Sequence, residues 1–380
     1  MLSSLAADLR YSVRSLWKNR SISVLAVVCL ALGVGLNATM FSVVDGVLIQ
    51  GLPFRDAPRL ARVSSANLKA RTPRAGVSYE DFRDIRDGTT SFEAVNLSQF
   101  RSLTIADGGG EPERLAGAAV SWQTFEMLGV HPVLGRAFSA TDDVPGAEPV
   151  VMLSHMVWTR RYAQDPGIIN RRVLINTKPH TVIGVMPEHF GFPTVQKLWV
   201  PIAPILSASP RSARGSSVYV RLRPGVSIEQ AQSELAGLAA RLAATYPVTN
   251  DAWELRVRSL QDEAVPPDVR LVILLMMGGA TLVLIIACTN VANLLIARAT
   301  VRRREIAIRA SLGAGKGRIV RQLLTESAVL GAASIPFGLI VANIGTALLR
   351  AGIPPDDVPF YIQWRVDWRT TAFTIGIAVL

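Results

Sequence analysis

Four histidines, His131, His155, His180 and His189, are the residues best suited to proton transfer or metal binding, and none has a partner ligand at helical or hairpin spacing. They read as surface and loop positions. Ser154-His155 sets a hydroxyl beside an imidazole at a strand-to-helix junction, but the G-x-S-x-G turn that would expose a nucleophile is missing. Gly313-Ala314-Gly315-Lys316-Gly317 has the composition of a phosphate loop. It lacks a glycine five residues before Gly315, and Gly317 stands where Ser or Thr would hold magnesium. Cys29 and Cys288 both lie inside apolar runs and read as small apolar residues, not as a disulfide or zinc framework. The residues therefore point to no catalytic group, no metal site and no cofactor bound by this chain.

A different kind of chemistry is spelled by the segment from Arg302 to Ala314. Arg302, Arg303, Arg304 and Arg309 alternate with Ile306, Ile308 and Leu312 around Glu305, and Gly313 ends the run. A new helix is expected from about Lys316, carrying Ile319, Gln322, Leu323 and Glu326. The charge alone is explained by topology, because basic residues collect on the cytoplasmic side of membrane spans. The interleaved apolar residues are not. A short helical bend with apolar knobs suits docking into a groove on a cytoplasmic partner.

That segment must be positioned by its flanks, and these are apolar. Ile22–Val44, Leu271–Ala297 and Ala328–Leu349 carry no charged side chain and are long enough to cross a hydrocarbon core of about 30 Å as helices. A fourth apolar run starts at Thr370 and reaches Leu380, about half a span, so the chain is expected to stop within a fourth helix. The net charge of +11 sits largely beside these runs, which directs it to the membrane surface and lipid headgroups, not to nucleic acid. Arg10, Arg14, Lys18 and Arg20 precede the first run, and residues 298–327 are basic. Asp45, Asp262, Glu263, Asp268, Asp356 and Asp357 mark the opposite flanks. The N-terminus and residues 298–327 are thus expected inside, and residues 45–270 and 350–369 outside. Within residues 1–20, Leu2, Leu5, Leu9, Val13 and Leu16 share one helical face and Arg10, Arg14 and Lys18 another, the pattern of an interfacial amphipathic helix.

Residues 45–270 have nearly balanced charge and the punctuation of a folded α+β domain. A helix is expected over Tyr79–Asp87, then strands over Val95–Ala106 and Arg114–Ser121 joined by Asp107-Gly108-Gly109-Gly110. Pro149–Ser154 reads as a strand, His155–Ala163 as a helix, and Arg172–Ile175 with His180–Met186 as a hairpin. Val218–Leu222 is a strand, and Ser227-Ile228-Glu229-Gln230 is a capping-box pattern opening a helix that runs to Thr245. Trp253–Leu260 returns as a strand. This last β-α-β part is expected to pair with strands near residues 95–121, leaving 122–215 as an inserted lobe. The fold class is therefore a membrane protein with α-helical spans and a two-lobed α+β extracytoplasmic domain. Within the spans, Gly33 and the amides Asn37, Asn290 and Asn293 are expected to face protein, the amides as interhelical hydrogen-bonding groups.

At the basic segment the sequence resembles the MacB/FtsX-type ABC transporter permeases, type VII, and among them the acidobacterial-type duplicated permeases. Their loop pattern R-x-x-E-I-x-x-R-x-x-L-G-A, followed by Gln and Glu, maps onto Arg302, Glu305, Ile306, Arg309, Leu312, Gly313, Ala314, Gln322 and Glu326. Further matches run from Ala31 to Asp45, through Leu52-Pro53-Phe54, Leu128-Gly129-Val130, Gly135-Arg136-Ala137-Phe138, Thr181–Pro187 and Leu198–Pro201. The resemblance implies that the loop couples the chain to a cytoplasmic ABC ATPase. ATP would be bound by that partner, a second permease module would complete the transporter, and the outer domain would move for export or envelope handling. This sequence departs from the pattern in carrying Asn170 and Thr177 where glycine is common. Two other classes stay open on the residues themselves: a membrane-anchored sensor of an external ligand, and a membrane-anchored enzyme. The first lacks a cytoplasmic output domain, and the second lacks a nucleophile, base or metal set.

Overall fold

The computed structural model describes residues 14, 16–17, 20–67, 69–106, 111–301, 316–353, 359–362 and 364–379, with side chains at 298–301, 316–320 and 322–323 excepted. Helices of ten or more residues are, in chain order, α1 (Arg20–Val44), α2 (Tyr79–Gly88), α3 (Ile228–Thr245), α4 (Pro267–Val301), α5 (Lys316–Gly352) and α6 (Trp368–Val379). The chain divides into two compact units. One holds Met1–Gln50, Pro267–Pro355 and Ile362–Leu380, and the other Gly51–Pro266 with Asp356–Tyr361.

The first unit is helical. Three of its helical stretches, Arg20–Ile49, Pro267–Ala297 and Leu324–Gly352, are long and apolar enough to cross a membrane. The first is α1 continued by one wide π-turn over Asp45–Ile49. In α1, Ala31, Gly33, Val34, Gly35, Ala38 and Thr39 are buried, while Leu32 and Leu36 face outward. Small residues therefore line the protein side of this helix and bulky ones its exterior, the arrangement that lets helix backbones approach closely in lipid. Of the amphipathic pattern in residues 1–20, only Arg14, Leu16, Trp17 and Arg20 lie among the described residues, all helical. Leu16 is buried against a cluster with Ala26, Val291 and Leu330.

The second unit is built on one mixed sheet of eleven strands. β1 (Leu60–Asn67), β3 (Phe92–Ala106), β4 (Glu113–Val120), β10 (Ser217–Leu222) and β11 (Trp253–Ser259) lie together in the order β11-β1-β10-β3-β4. The path continues through strands from the middle of the sequence: β9 (Leu198–Pro201), β6 (Val150–Leu153), β8 (Lys178–Val185) and β5 (Leu134–Gly135). β2 (Thr72–Ala75) pairs with β1, and β7 (Arg172–Ile175) with β3 and β8. The two groups meet where β4 runs parallel to β9, with Gly117 opposite Leu198. Of the β-α-β end, β10 pairs with β3 as expected, whereas β11 pairs with β1, a strand outside residues 95–121.

Alternation along the strands distributes side chains to two cores. In β10, Val218, Val220 and Leu222 join one core and Tyr219 the other. In β9, Leu198 and Val200 oppose Trp199 in the same way. Because both faces are covered, β6 and β9 are apolar at every position, which is the pattern of a strand buried on two sides. α3 lays Ala231, Leu235, Leu238 and Leu242 on the first core, and α2 adds Phe82 and Ile85. Ser227 caps α3 and Gln230 reaches back to it, so the capping box forms as spelled.

The β7–β8 hairpin turns through Asn176 (φ 47°) and Thr177 (φ 69°), and Asn170 before it sits at φ 67°. These are left-handed conformations, which glycine adopts without steric cost and an L-residue only where it is held. The Asn176 carboxamide oxygen accepts from Thr104 N at 2.9 Å, one local bond that holds an L-residue there. The glycine turn at 107–110 lies outside the described residues.

Candidate functional site

The helical unit is the part of the chain that carries the residues singled out for partner docking and helix packing. Arg302, Glu305, Ile306, Arg309, Leu312, Gly313 and Ala314 lie outside the described residues. Their flanks are described: α4 ends at Val301 and α5 begins at Lys316. Gln322 lies on α5. Glu326, one turn further, is buried at 4 % exposure.

Gly33 and Asn37 stand one turn apart on α1 and face α4. A Cβ on Gly33 would lie 3.1 Å from both Ala287 Cβ and Leu284 Cδ1, tighter than ordinary contact. Asn37 is fully buried. Its Nδ2 donates to Gly33 O at 2.9 Å and across the interface to Ala280 O at 2.7 Å. Thr281 Oγ1 donates to the Asn37 carboxamide oxygen at 3.4 Å. Asn37 therefore acts as an interhelical bond between α1 and α4. Asn290 and Asn293 differ: both are exposed on α4 in this chain.

Further residues complete the packing. Gly35 turns to α5, where an added Cβ would meet Val341 Cβ at 2.6 Å and Gly338 O at 2.8 Å, so no larger residue fits without displacement. Its signal was present in the alternation Gly33-Val34-Gly35, which places two glycines on different sides of one helix. At the other end of α1, Asp45 is 1 % exposed. Gln50 Nε2 donates to it at 2.5 Å, and Arg369 Nη1, from the start of α6, donates at 3.2 Å. Phe41 and Phe373 stack with centroids 4.1 Å apart. No local pattern links Asp45 with Arg369, since they are more than three hundred residues apart.

In the sheet unit, Ser154 is a helix cap: its hydroxyl accepts from Val157 N at 3.3 Å. The Ser154-His155 pair thus serves helix geometry. The connector between α5 and α6 contributes to this unit. Phe360 N donates to Thr194 O at 2.9 Å, and its ring lies 5.6 Å from Phe54 and 5.4 Å from Phe190. Those rings lead inward to Phe125 and Trp199, whose Nε1 donates to Phe192 O at 2.7 Å. Such an aromatic cluster gives Phe360 a fixed seat.

Long apolar helices and a mixed α+β sheet domain on one chain define the class, an integral membrane protein with an extracytoplasmic domain. The MacB-like periplasmic core domain matches residues 23–238, and the FtsX-like permease C-terminal domain matches residues 277–380. The chain belongs to the MacB/FtsX-type ABC permeases, an inner-membrane family of transporters and not of enzymes. It is 28 % identical over 232 residues to the macrolide export ATP-binding/permease protein MacB of Neisseria gonorrhoeae, covering 60 % of this chain and 34 % of that protein. It is 25 % identical over 366 residues to the pyoverdine export ATP-binding/permease protein PvdT of Pseudomonas syringae pv. tomato, covering 90 % and 52 %. The chain thus spans about a third to a half of the length of these curated relatives. The crystal structure of the periplasmic region of MacB from Actinobacillus actinomycetemcomitans is similar at a TM-score of 0.43 and 16 % identity, over 58 % of this chain and 93 % of that one.

Proposed function

We propose that this chain is a permease part of an ABC transporter, which couples ATP hydrolysis by a partner cytoplasmic ATPase to movement of its periplasmic domain. The observation that carries this reading is the match to both family domains on one chain, with the connector between α4 and α5 falling inside the second. In this reading residues 1–20 lie on the cytoplasmic surface, residues 22–44, 271–297 and 328–349 cross the membrane, and 370–380 enter it again. The N-terminus is cytoplasmic and residues 45–270 are periplasmic, in keeping with the distribution of arginines and carboxylates. Arg302, Glu305, Ile306, Arg309, Leu312, Gly313 and Ala314 form the docking element, with Gln322 and Glu326 anchoring it to α5. ATP binds to the partner.

The exposed face of α4, with Asn290 and Asn293, meets a second permease module in this reading. Amides in a span are costly against lipid and are accommodated against protein. The names of the relatives support export of a substrate as the task, with handling of an envelope component as the other use of the same movement.

The test is co-purification of the chain with its ATPase. Glu305→Ala, Leu312→Ala and Gly313→Val are expected to abolish association while membrane insertion, read by accessibility of cysteines placed in the periplasmic domain, stays unchanged. Retention of the ATPase by all three variants sinks the docking role.

A further inference from the structure

The periplasmic domain contains a polar cleft that the transport reading leaves unused. Arg221 belongs to β10 and shares the parity of Tyr219, so it points into the second, aromatic core. It is 4 % exposed. Its Nη2 donates to the carbonyl oxygens of Arg55, at 2.7 Å, and Met127. Its Nη1 is buried and has no hydrogen-bond partner among the described residues. That nitrogen stands 3.6 Å from Asp56 Oδ2.

The same carboxylate oxygen lies 3.6 Å from Arg59 Nη1 and 3.9 Å from Arg55 Nε. Three guanidinium groups therefore share one oxygen, and none is within hydrogen-bonding distance of it. Arg59 is additionally bonded to Glu93 and to the Leu222 carbonyl. Burial, and after it the nearby Arg59, pull the Arg221 pKa below the usual arginine value. The unbonded Nη1 and the lowered pKa mark a buried guanidinium whose pairing is incomplete and which keeps an open donor.

These residues line a cleft of 220 Å³ together with Glu126. The Glu126 side chain is exposed and has no ion pair or hydrogen bond among the described residues. Three arginines and three carboxylates thus face one space. A simple anion would meet the carboxylates and a simple cation the guanidinium groups, but a molecule carrying both charges satisfies both ends. The volume is below the roughly 300 Å³ at which pockets for drug-sized ligands begin.

We propose that this cleft binds a small zwitterion, with its anionic group on Arg221 and Arg55 and its ammonium on Glu126. Two sources offer that chemistry: a free amino acid, and the phosphoethanolamine headgroup of a lipid. The whole chain in maltoside detergent is titrated calorimetrically with glycine, phosphoethanolamine, acetate and methylammonium. The two zwitterions bind, and each single-charge probe binds at least about tenfold more weakly, the scale of one lost charged hydrogen bond. Glu126→Gln weakens glycine about tenfold and leaves acetate unmoved, whereas Arg55→Gln weakens both. Both substitutions are at exposed side chains, so the test does not depend on the folding of an Arg221→Met variant. In nanodiscs, loss of glycine binding when phosphatidylethanolamine replaces phosphatidylglycerol assigns the headgroup, and unchanged binding assigns the free zwitterion. No saturable binding of either zwitterion, or acetate binding as tightly as glycine, overturns the proposal and leaves Arg221 as a tie between the loop at Arg55 and the helix end at Met127.

Discussion

The interior of α1 and the sheet domain bury polar groups by different means. In the sheet domain the means is paired charge. Asp81 is 1 % exposed and accepts from Arg211 Nη1 at 2.7 Å, from Arg214 Nη1 and from Asn250 Nδ2 at 3.0 Å. The two guanidinium groups lie over Tyr246, at 3.8 Å, and Trp253, at 4.4 Å. In the helical unit, Asn37 uses a neutral amide shared between two backbone carbonyls. The difference follows the solvent of the competing state. A chain unfolding into water recovers full hydration of its ions, so burying them requires a complete set of partners. A helix leaving its neighbours in lipid keeps its backbone bonds and meets no water, so a single amide offers little but is rarely outbid.

The strongest test of this contrast is Asp81→Ala. It leaves Arg214, with a side chain only 5 % exposed, without its carboxylate, while Arg211 keeps Asp84 at 2.5 Å. The expected loss is about 3–5 kcal/mol of periplasmic-domain stability, the usual consequence of orphaning a buried charge. Urea unfolding followed by tryptophan fluorescence measures it. The companion change Asp81→Leu with Arg214→Met is expected to recover most of that loss, because Arg211 stays paired with Asp84 and no buried charge is then left unpaired. A double variant as unstable as Asp81→Ala would mean that the ion cluster itself, not its completeness, holds the domain.

Acid separates the units next. Burial pushes the Asp142 carboxyl up, but the Arg136 guanidinium, bonded at 2.6 and 3.0 Å, and then the Ser139 hydroxyl and amide outweigh it and hold the pKa down at about 2. The folded value lies below the unfolded one near 3.8. The stabilisation is therefore complete above about pH 4 and is lost as pH falls through 2. It amounts to at most about 2 kcal/mol, since Arg136 is half exposed and partly screened. Hydrogen exchange is expected to show peptides around Arg136–Asp142 losing protection across that window while α1 and α4 keep theirs. Asp142→Asn should flatten this acid limb.

The same contrast governs what could be read from the sequence. The spans announce themselves by absence of charge, and α3 by its cap, because both signals are local. β1 gave none. Ser64-Ser65-Ala66-Asn67 has turn composition, yet the strand lies between β10 and β11, with Ser65 Oγ bonded to Gly76 O. Burial there comes from neighbours more than 150 residues away, not from apolar side chains. The Asp81 cluster is illegible for the same reason: Arg211 and Arg214 are ordinary loop arginines until the sheet closes. Of the candidate site, Gly33 and Asn37 were legible because glycine and amides are conspicuous in a span. Asp45 also stood out, but its partner Arg369 did not.

Asn37→Leu gives the smallest effect and the sharpest comparison. It removes the bond to Ala280 O and leaves that carbonyl within its own helix bonding, so no charge and no donor is orphaned. Leucine is branched where the amide is planar, and the neighbouring contact at Gly33 is already tight. The expected loss is about 1 kcal/mol, the upper part of the range for interhelical hydrogen bonds in bilayers. It is read by steric trapping of the chain in bicelles. Asn37→Ala, which adds no bulk, separates the hydrogen bond from packing and should fall at or below the same figure. If either substitution costs as much as Asp81→Ala, then buried amides in this helical unit are as consequential as buried ions in the sheet domain. The polar economy of the two units would then be one and the same, and Asn37 would be the hinge on which α1 is held to α4.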